Sequence, residues 1–89
     1  MLVVGLDFES TGKDPLTSRI TEVGAILYNT DSKVFVRVMN HLVYDPLTYL
    51  PQTDEIIRIT GITDEMLERY GVDPHLAISQ LSDFLVGAQ

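Results

Sequence analysis

Residues 2–12 read L-V-V-G-L-D-F-E-S-T-G, and this stretch decides how the rest of the chain is organised. Residues 2–9 are β-branched and aromatic with no helical spacing, whereas 10–19, STGKDPLTSR, are dense in Ser, Thr, Gly, Asp and Pro. Branched and aromatic side chains suit a pleated strand and the second composition suits a loop, so a strand is predicted to run into a connection covering 10–19. In an extended strand, side chains two residues apart share a face, with Cα atoms about 6.5–7 Å apart. Asp7 and Glu9 therefore stand together at the end of an apolar strand, where both carboxylates can reach one cation.

Working outward, residues 20–29, ITEVGAILYN, are apolar on both alternating faces apart from Glu22, which predicts a central strand covered on both sides. Thr30-Asp31-Ser32-Lys33 supplies a tight turn, and 34–44 make a third strand. There Val34, Val36, Val38 and Leu42 form an apolar face expected to be buried, opposite a mixed face of Phe35, Arg37, Met39 and His41. Short connections between three strands predict an antiparallel meander. After the loop 45–52, which holds Pro46 and Pro51, the pattern turns helical. Thr53-Asp54-Glu55 caps a helix ending at Gly61, and Thr63-Asp64-Glu65 starts another ending at Gly71. Acids in both first turns suit the helix dipole. Asp73-Pro74 is an N-cap with Pro at the first helical position, and Ala77, Ile78, Leu81, Phe84, Leu85 and Ala88 follow at helical spacing on one face. The fold class is thus α/β. An amphipathic helix after strands leads to the expectation of a further strand, which would lie beyond Gln89.

Eighty-nine residues leave room for a single domain, 1–89, near the low end of the size that buries a self-sufficient core. The composition, 45% hydrophobic and 21% charged without low-complexity tracts, is that of a folded protein. The absence of cysteine excludes a disulfide framework and a thiolate zinc site. No stretch approaches the roughly 18 apolar residues of a membrane span, so a soluble, cytoplasmic protein with no membrane partner is expected. Thirteen acids against six bases give a net charge of −7, a poor footprint for holding nucleic acid by its phosphates unaided. A phosphate ligand would need metal ions or help from elsewhere.

Divalent magnesium takes hard oxygen ligands, and two such ions roughly 3.5–4 Å apart can activate a water and stabilise the leaving oxygen in phosphodiester cleavage. Asp7 and Glu9 have the residue type and spacing for first ligands. Alone D-x-E is a weak signal, but here the acids close an apolar strand where unpaired charge is costly, and the Ser10-Thr11-Gly12 turn follows with accessible backbone N–H groups. Glu22, within an apolar strand, also calls for a partner, and a hydroxyl or a basic side chain could supply it.

Three segments together, D-F-E-S-T-G at 7–12, I-T-E-V-G-A-I at 20–26 and I-T-G-I-T-D-E-M-L at 59–67, resemble the N-terminal part of the DnaQ-like, DEDD-type 3′–5′ exonucleases, which include proofreading subunits and ribonuclease T. The resemblance runs in order over nearly the whole chain. It implies an incomplete ribonuclease-H-like fold: a three-stranded antiparallel meander followed by helices. It implies removal of nucleoside monophosphates from a single-stranded DNA or RNA 3′ end by two-metal hydrolysis, in DNA replication or repair or in RNA trimming. Asp7 and Glu9 would be catalytic, the first two of four acids holding two Mg²⁺ or Mn²⁺ ions in the complete site. Ser10, Thr11 and Gly12 would lie beside the terminal nucleotide, and Gly61, Ile62 and Thr63 would wall its pocket.

Two features depart from the family pattern. Many relatives carry His before the glycine of the third motif, where this chain has Thr60. The H-N-x-x-F-D-like segment with the next acid, the general base (His or Tyr) and the fourth acid are not among the 89 residues. His41, in the third strand, and His75, in a first helical turn, are expected to be surface or structural residues. Tyr28, Tyr44, Tyr49 and Tyr70, spread over different elements, are expected to pack in the core or at its rim. Alone, the chain is expected to lack activity and to be marginal in stability, or to self-associate, with a second copy or a partner chain completing the sheet. The competing expectation is an inactive docking or assembly module derived from the same fold, pairing through its first strand.

Overall fold

Strand β1 (Leu2–Ser10) pairs antiparallel with β2 (Ile20–Asn29), and β2 with β3 (Val34–Leu42), in the order β1-β2-β3. The computed structural model describes residues 1–12, 14 and 18–88, so part of the connection predicted at 10–19 lies outside the described residues. The expected meander forms. Its β2–β3 turn is closed by Asn29, whose Oδ1 accepts the N–H groups of Asp31 and Ser32 at 2.9 and 3.3 Å. The Lys33 N–H donates to the Asn29 carbonyl at 2.8 Å, with Lys33 in the left-handed region at φ 60°. The turn read from Thr30-Asp31-Ser32-Lys33 forms, and the Asn29 side chain, mimicking a backbone turn, closes it.

Central in order, β2 is nevertheless covered on one face only among the described residues. Val23, Ala25 and Leu27 are buried beneath α3 (Pro74–Gly87), and Ala77, Leu81, Phe84 and Val43 complete that core. The alternate residues Glu22, Gly24, Ile26 and Tyr28 lie on the opposite face with Phe35 and Val38, which are 62% and 67% exposed. The predicted two-sided coverage therefore does not occur. Helices α1 (Asp54–Thr60) and α2 (Asp64–Tyr70) are each about 10 Å long, too short to roof a sheet; α1 buries no residue and α2 only Leu67.

The face expected to be buried on β3 is also reversed. Tyr28 pairs with Phe35 but Leu27 pairs with Arg37, so Val36 is an extra residue that shifts the alternation. Arg37, Met39 and His41 face α3, whereas Val38 and Leu42 face away. The mixed face is accepted beneath the helix because the Arg37 guanidinium lies 5.0 Å from the centroid of the Phe84 ring, a cation–π contact that lets its stem cover apolar surface. Met39 packs against the core directly.

All three predicted helices form with the predicted caps. Thr53 and Thr63 side chains accept from the N–H groups of Ile56 and Met66, and Asp73 accepts from His75 one residue past Pro74. On α3, Ala77, Leu81 and Phe84 are buried and Leu85 and Ala88 partly so; Ile78, assigned to the same face, is exposed at its margin. The two cap glycines are required for different reasons. Gly61 takes φ 75° with open space around it. Gly71 has an ordinary φ of −67°, yet a Cβ there would stand 2.4 Å from the Leu67 carbonyl oxygen and 2.5 Å from the Tyr44 Cβ. The crowding follows from a parallel bridge between Val43 and Val72, in which the Tyr44 N–H donates to Val72 and the Val72 N–H to Leu42. Gly61→Ala is expected to cost about 1 kcal/mol through backbone strain. Gly71→Ala is expected to cost more, toward the upper end of roughly 1–3 kcal/mol, because backbone must move. Urea midpoints of the two variants check the order; a smaller loss at Gly71 would contradict the bridge geometry.

The radius of gyration is 14.5 Å, against roughly 12 Å for a compact domain of this length, and the long axis is 43 Å. Among the described residues one face of the sheet is open and the outer edge of β1 pairs with no strand. No helix among the described residues is long and apolar enough to cross a membrane.

Candidate metal centre

The register of β1 on β2 sets Asp7 opposite Gly24 and Glu9 opposite Glu22. Strand alternation then places Asp7, Glu9 and Glu22 together on the open face, and one carboxylate oxygen from each lies within 4.8 Å of those of the other two. Asp7 is exposed, while Glu9 and Glu22 are half-buried. Among the described residues none of the three carboxylates has a hydrogen bond or an ion pair. The neighbour anticipated for Glu22, a hydroxyl or a basic side chain, is instead two more acids.

This donor set fits a hard divalent cation. Magnesium and manganese take hard oxygen ligands, and three carboxylates this close together supply them. Beside the acids, Gly5 and Gly24 contribute no side chains. They leave an open trough of about 300 Å³ bounded also by Asp7, Glu22, Val38 and Asn40. The pairing shifts just past Glu9, with Thr21 the extra residue on β2, a kind of irregularity that re-aims side chains beside functional sites. Carboxylates on such a face can hold a cation where an approaching phosphate would meet it.

The segment after the acids is held by its own bonds. The Ser10 hydroxyl donates to the Gly12 carbonyl at 2.8 Å, the Thr11 N–H donates to the Arg19 carbonyl, and the Arg19 N–H returns to Thr11 Oγ1. Thr11 and Gly12 share a cleft with Arg19, Pro51 and Gln52. Gly61, Ile62 and Thr63 do not line that cleft or the trough: Gly61 ends α1, Ile62 is buried, and Thr63 caps α2. They are joined to it through Gln52, whose side-chain amide donates to the Ile62 carbonyl at 3.0 Å and to Asp64 at 3.2 Å. Asp64 also accepts from the Gln52 N–H and from the Tyr49 hydroxyl. Tyr49→Phe removes one bond to a charged acceptor and is expected to cost about 1–2 kcal/mol, below the full range because Asp64 keeps its Gln52 bonds. Thermal unfolding of the variant checks this value.

Thr60, in the position where many relatives carry His, is occupied within the chain: its hydroxyl donates to the Ile56 carbonyl and accepts from the Ile62 N–H. His41 is on the α3 side of the sheet, opposite the acids, in a groove with Arg37, Gln80 and Asp83, and His75 is exposed on α3. Neither faces the carboxylates, as expected. Tyr44 and Tyr49 pack on each other at 5.0 Å between centroids, as Tyr28 does on Phe35. Tyr70, expected in the core or at its rim, is 64% exposed, since α2 turns only Leu67 fully inward.

The sequence profile of the exonuclease family matches residues 4–88. Comparison with curated proteins yields no match. Among solved structures, cell-death related nuclease 4 is similar with a TM-score of 0.76 and 16% identity, over 97% of this chain and 30% of that one. The nuclease domain of 3′hExo, a DEDDh family member bound to rAMP, gives 0.73 and 22%, over 94% and 43%. A 3′-exonuclease in 3′-end specific recognition of histone mRNA stem-loop gives 0.72 and 22%, over 99% and 32%. The chain thus spans less than half the length of each, and at these identities the likeness is one of fold, the ribonuclease-H-like fold in which such exonucleases are built. With the family profile matched across all six elements, from β1 through α3, the chain belongs to this exonuclease family.

Proposed function

We propose that this chain carries the first two metal-binding acids of a 3′–5′ exonuclease, one that releases nucleoside monophosphates from a single-stranded DNA or RNA 3′ end with a pair of Mg²⁺ or Mn²⁺ ions. The observation that carries the reading is the convergence of Asp7 and Glu9 on an open face, beside a trough and with no ion pair to either carboxylate among the described residues, in a chain of this family. The ions would supply an activated water and charge stabilisation at the leaving oxygen. Asp7 and Glu9 hold them; their negative charge, in a chain of net −7, would repel a phosphate in the absence of metal. Ser10, Thr11 and Gly12 position the terminal nucleotide through a turn already fixed by internal bonds, and Gly61, Ile62 and Thr63 act only from behind, through Gln52, which lines the cleft and bonds the Ile62 carbonyl and Asp64. Solved relatives that hold rAMP and recognise an RNA stem-loop support a nucleic-acid substrate.

In this reading residues 1–89 form the N-terminal portion of the exonuclease domain, and the other two acids and the general base come from further sequence. Incubating the 89-residue chain, and the chain extended along its reading frame, with 3′- and 5′-labelled oligonucleotides of DNA and RNA tests it. Metal-dependent release of mononucleotides from the 3′ end by the extended chain is expected, with none from the 89 residues alone. An extended chain carrying all four acids that leaves both substrates intact would overturn the reading. The unpaired β1 edge and the exposed Ile26, Phe35 and Val38 favour the second reading, an inactive docking module. A stable complex formed through β1 by a chain lacking the later acids would establish it.

A further inference from the structure

We propose that Gln52 reads the terminal nucleotide, its side-chain oxygen accepting a hydrogen bond from one of that nucleotide's N–H or O–H groups. This rests on the exonuclease reading above and adds to it a residue outside the three segments, 7–12, 20–26 and 59–67, that carry the family resemblance. Gln52 is only 9% exposed, yet its Oε1 has no hydrogen-bond donor among the described residues. A buried acceptor left unpaired carries the full cost of its desolvation, so the position calls for a partner.

The side chain cannot relieve this by turning over. Its Nε2 donates to the Ile62 carbonyl at 3.0 Å and to Asp64 Oδ1 at 3.2 Å, and a flipped amide would set the oxygen against both acceptors. The Gln52 backbone N–H donates to the same Asp64 oxygen at 3.2 Å, which holds the base of the side chain as well. The nitrogen end thus faces Ile62 and Asp64, neither of which lines the cleft of about 220 Å³ that Gln52 shares with Thr11, Gly12 and Arg19. The oxygen is the polar end left for that cleft, and it offers an acceptor only. It is covered while the cleft is empty, and a ligand's donor reaches it as the ligand parts the cleft walls. The Arg19 guanidinium gives one N–H to the Ser18 carbonyl at 3.1 Å, and its other donors have no acceptor among the described residues. Leu50 and Pro51 add apolar surface against which a base can lie. An acceptor that needs a donor, beside a cation that needs an anion, suits a nucleotide.

Binding of adenosine 5′-monophosphate (AMP) to the chain in Mg²⁺, followed by ¹H–¹⁵N correlation spectra, tests the assignment without any reliance on turnover. Three analogues each delete one donor: 2′-deoxy-AMP, 3′-deoxy-AMP, and purine riboside 5′-monophosphate, which lacks the amino group. One of the three is expected to bind roughly 3–10-fold more weakly than AMP, the worth of a single neutral hydrogen bond, and its identity names the donor. Gln52→Met keeps the length of the side chain and removes the oxygen. It is expected to bind AMP more weakly and to lose the discrimination, taking AMP and that analogue within about twofold of each other. A purely structural role would lower the affinity for every ligand and leave the discrimination in place, and that result overturns the assignment. Equal binding of AMP and all three analogues by the unaltered chain overturns it too, as when an internal water serves the oxygen; this comparison needs no variant to fold. Absence of AMP binding also overturns the assignment, whereas the exonuclease reading falls separately, on absence of turnover by the extended chain.

Discussion

Asp7→Ala is expected to lower turnover by the complete exonuclease domain by roughly 10³-fold or more, with Glu9→Ala close behind. A bound divalent ion contributes several kcal/mol of charge stabilisation to phosphodiester cleavage, and each 1.4 kcal/mol lost is about tenfold in rate. Both carboxylates project from β1 onto the open face and make no hydrogen bond among the described residues, so in the proposed reading their removal deletes ligands without deleting structure. The fold of either variant is expected to be intact, and slightly firmer without metal, because one member of a repelling group is gone. Single-turnover rates on a 3′-labelled oligonucleotide, beside urea unfolding of the same preparations, separate the two effects. Turnover unchanged in either variant would remove these residues from the chemistry, and a large loss of stability would assign them to the scaffold instead.

Phe84→Ala is expected to have the largest effect on stability, about 3–5 kcal/mol, the range for truncating a buried aromatic side chain. Phe84 sits on the face of the sheet that α3 covers, in one core with Val23, Ala25 and Leu27, and its ring also carries the Arg37 guanidinium. Loss of the ring leaves a cavity beneath β2 and strands Arg37 over an apolar face. A small domain has about 5–15 kcal/mol of stability in total, and one with an open sheet face is expected near the lower end. The variant is therefore expected to be largely unfolded at 37 °C, as read by loss of far-UV circular dichroism and by a shifted urea midpoint. Arg37→Met, which keeps the stem and drops the charge, is expected to cost about 1 kcal/mol or less. An equal loss in the two variants would mean that the cation, and not the ring's burial, anchors α3.

The candidate site was legible in part. Asp7 and Glu9 could be placed on one face from their spacing alone, because a period of two is a property of any strand. Glu22 could be recognised as anomalous, an acid in an apolar run, but not as their neighbour. That relation depends on which residue of β2 faces Glu9, and therefore on the bulge at Thr21, which no local pattern announces. The same limit explains β3. Its alternation pointed the valines inward, and a single extra residue at Val36 together with one arginine able to lie on an aromatic ring reversed the choice.

The chain's sequence by itself determined the elements: where the strands and helices run, the caps at Thr53, Thr63 and Asp73, the left-handed end at Gly61, and the antiparallel order that short connections impose. These are consequences of side-chain shape and hydrogen bonding within a few residues. Only the tertiary structure decided which sheet face α3 covers, that the other remains open beside three carboxylates, and that Gly71 is required by the approach of Tyr44 and not by its own φ. Those outcomes depend on contacts between segments far apart in the chain, where one shift of register changes every neighbour.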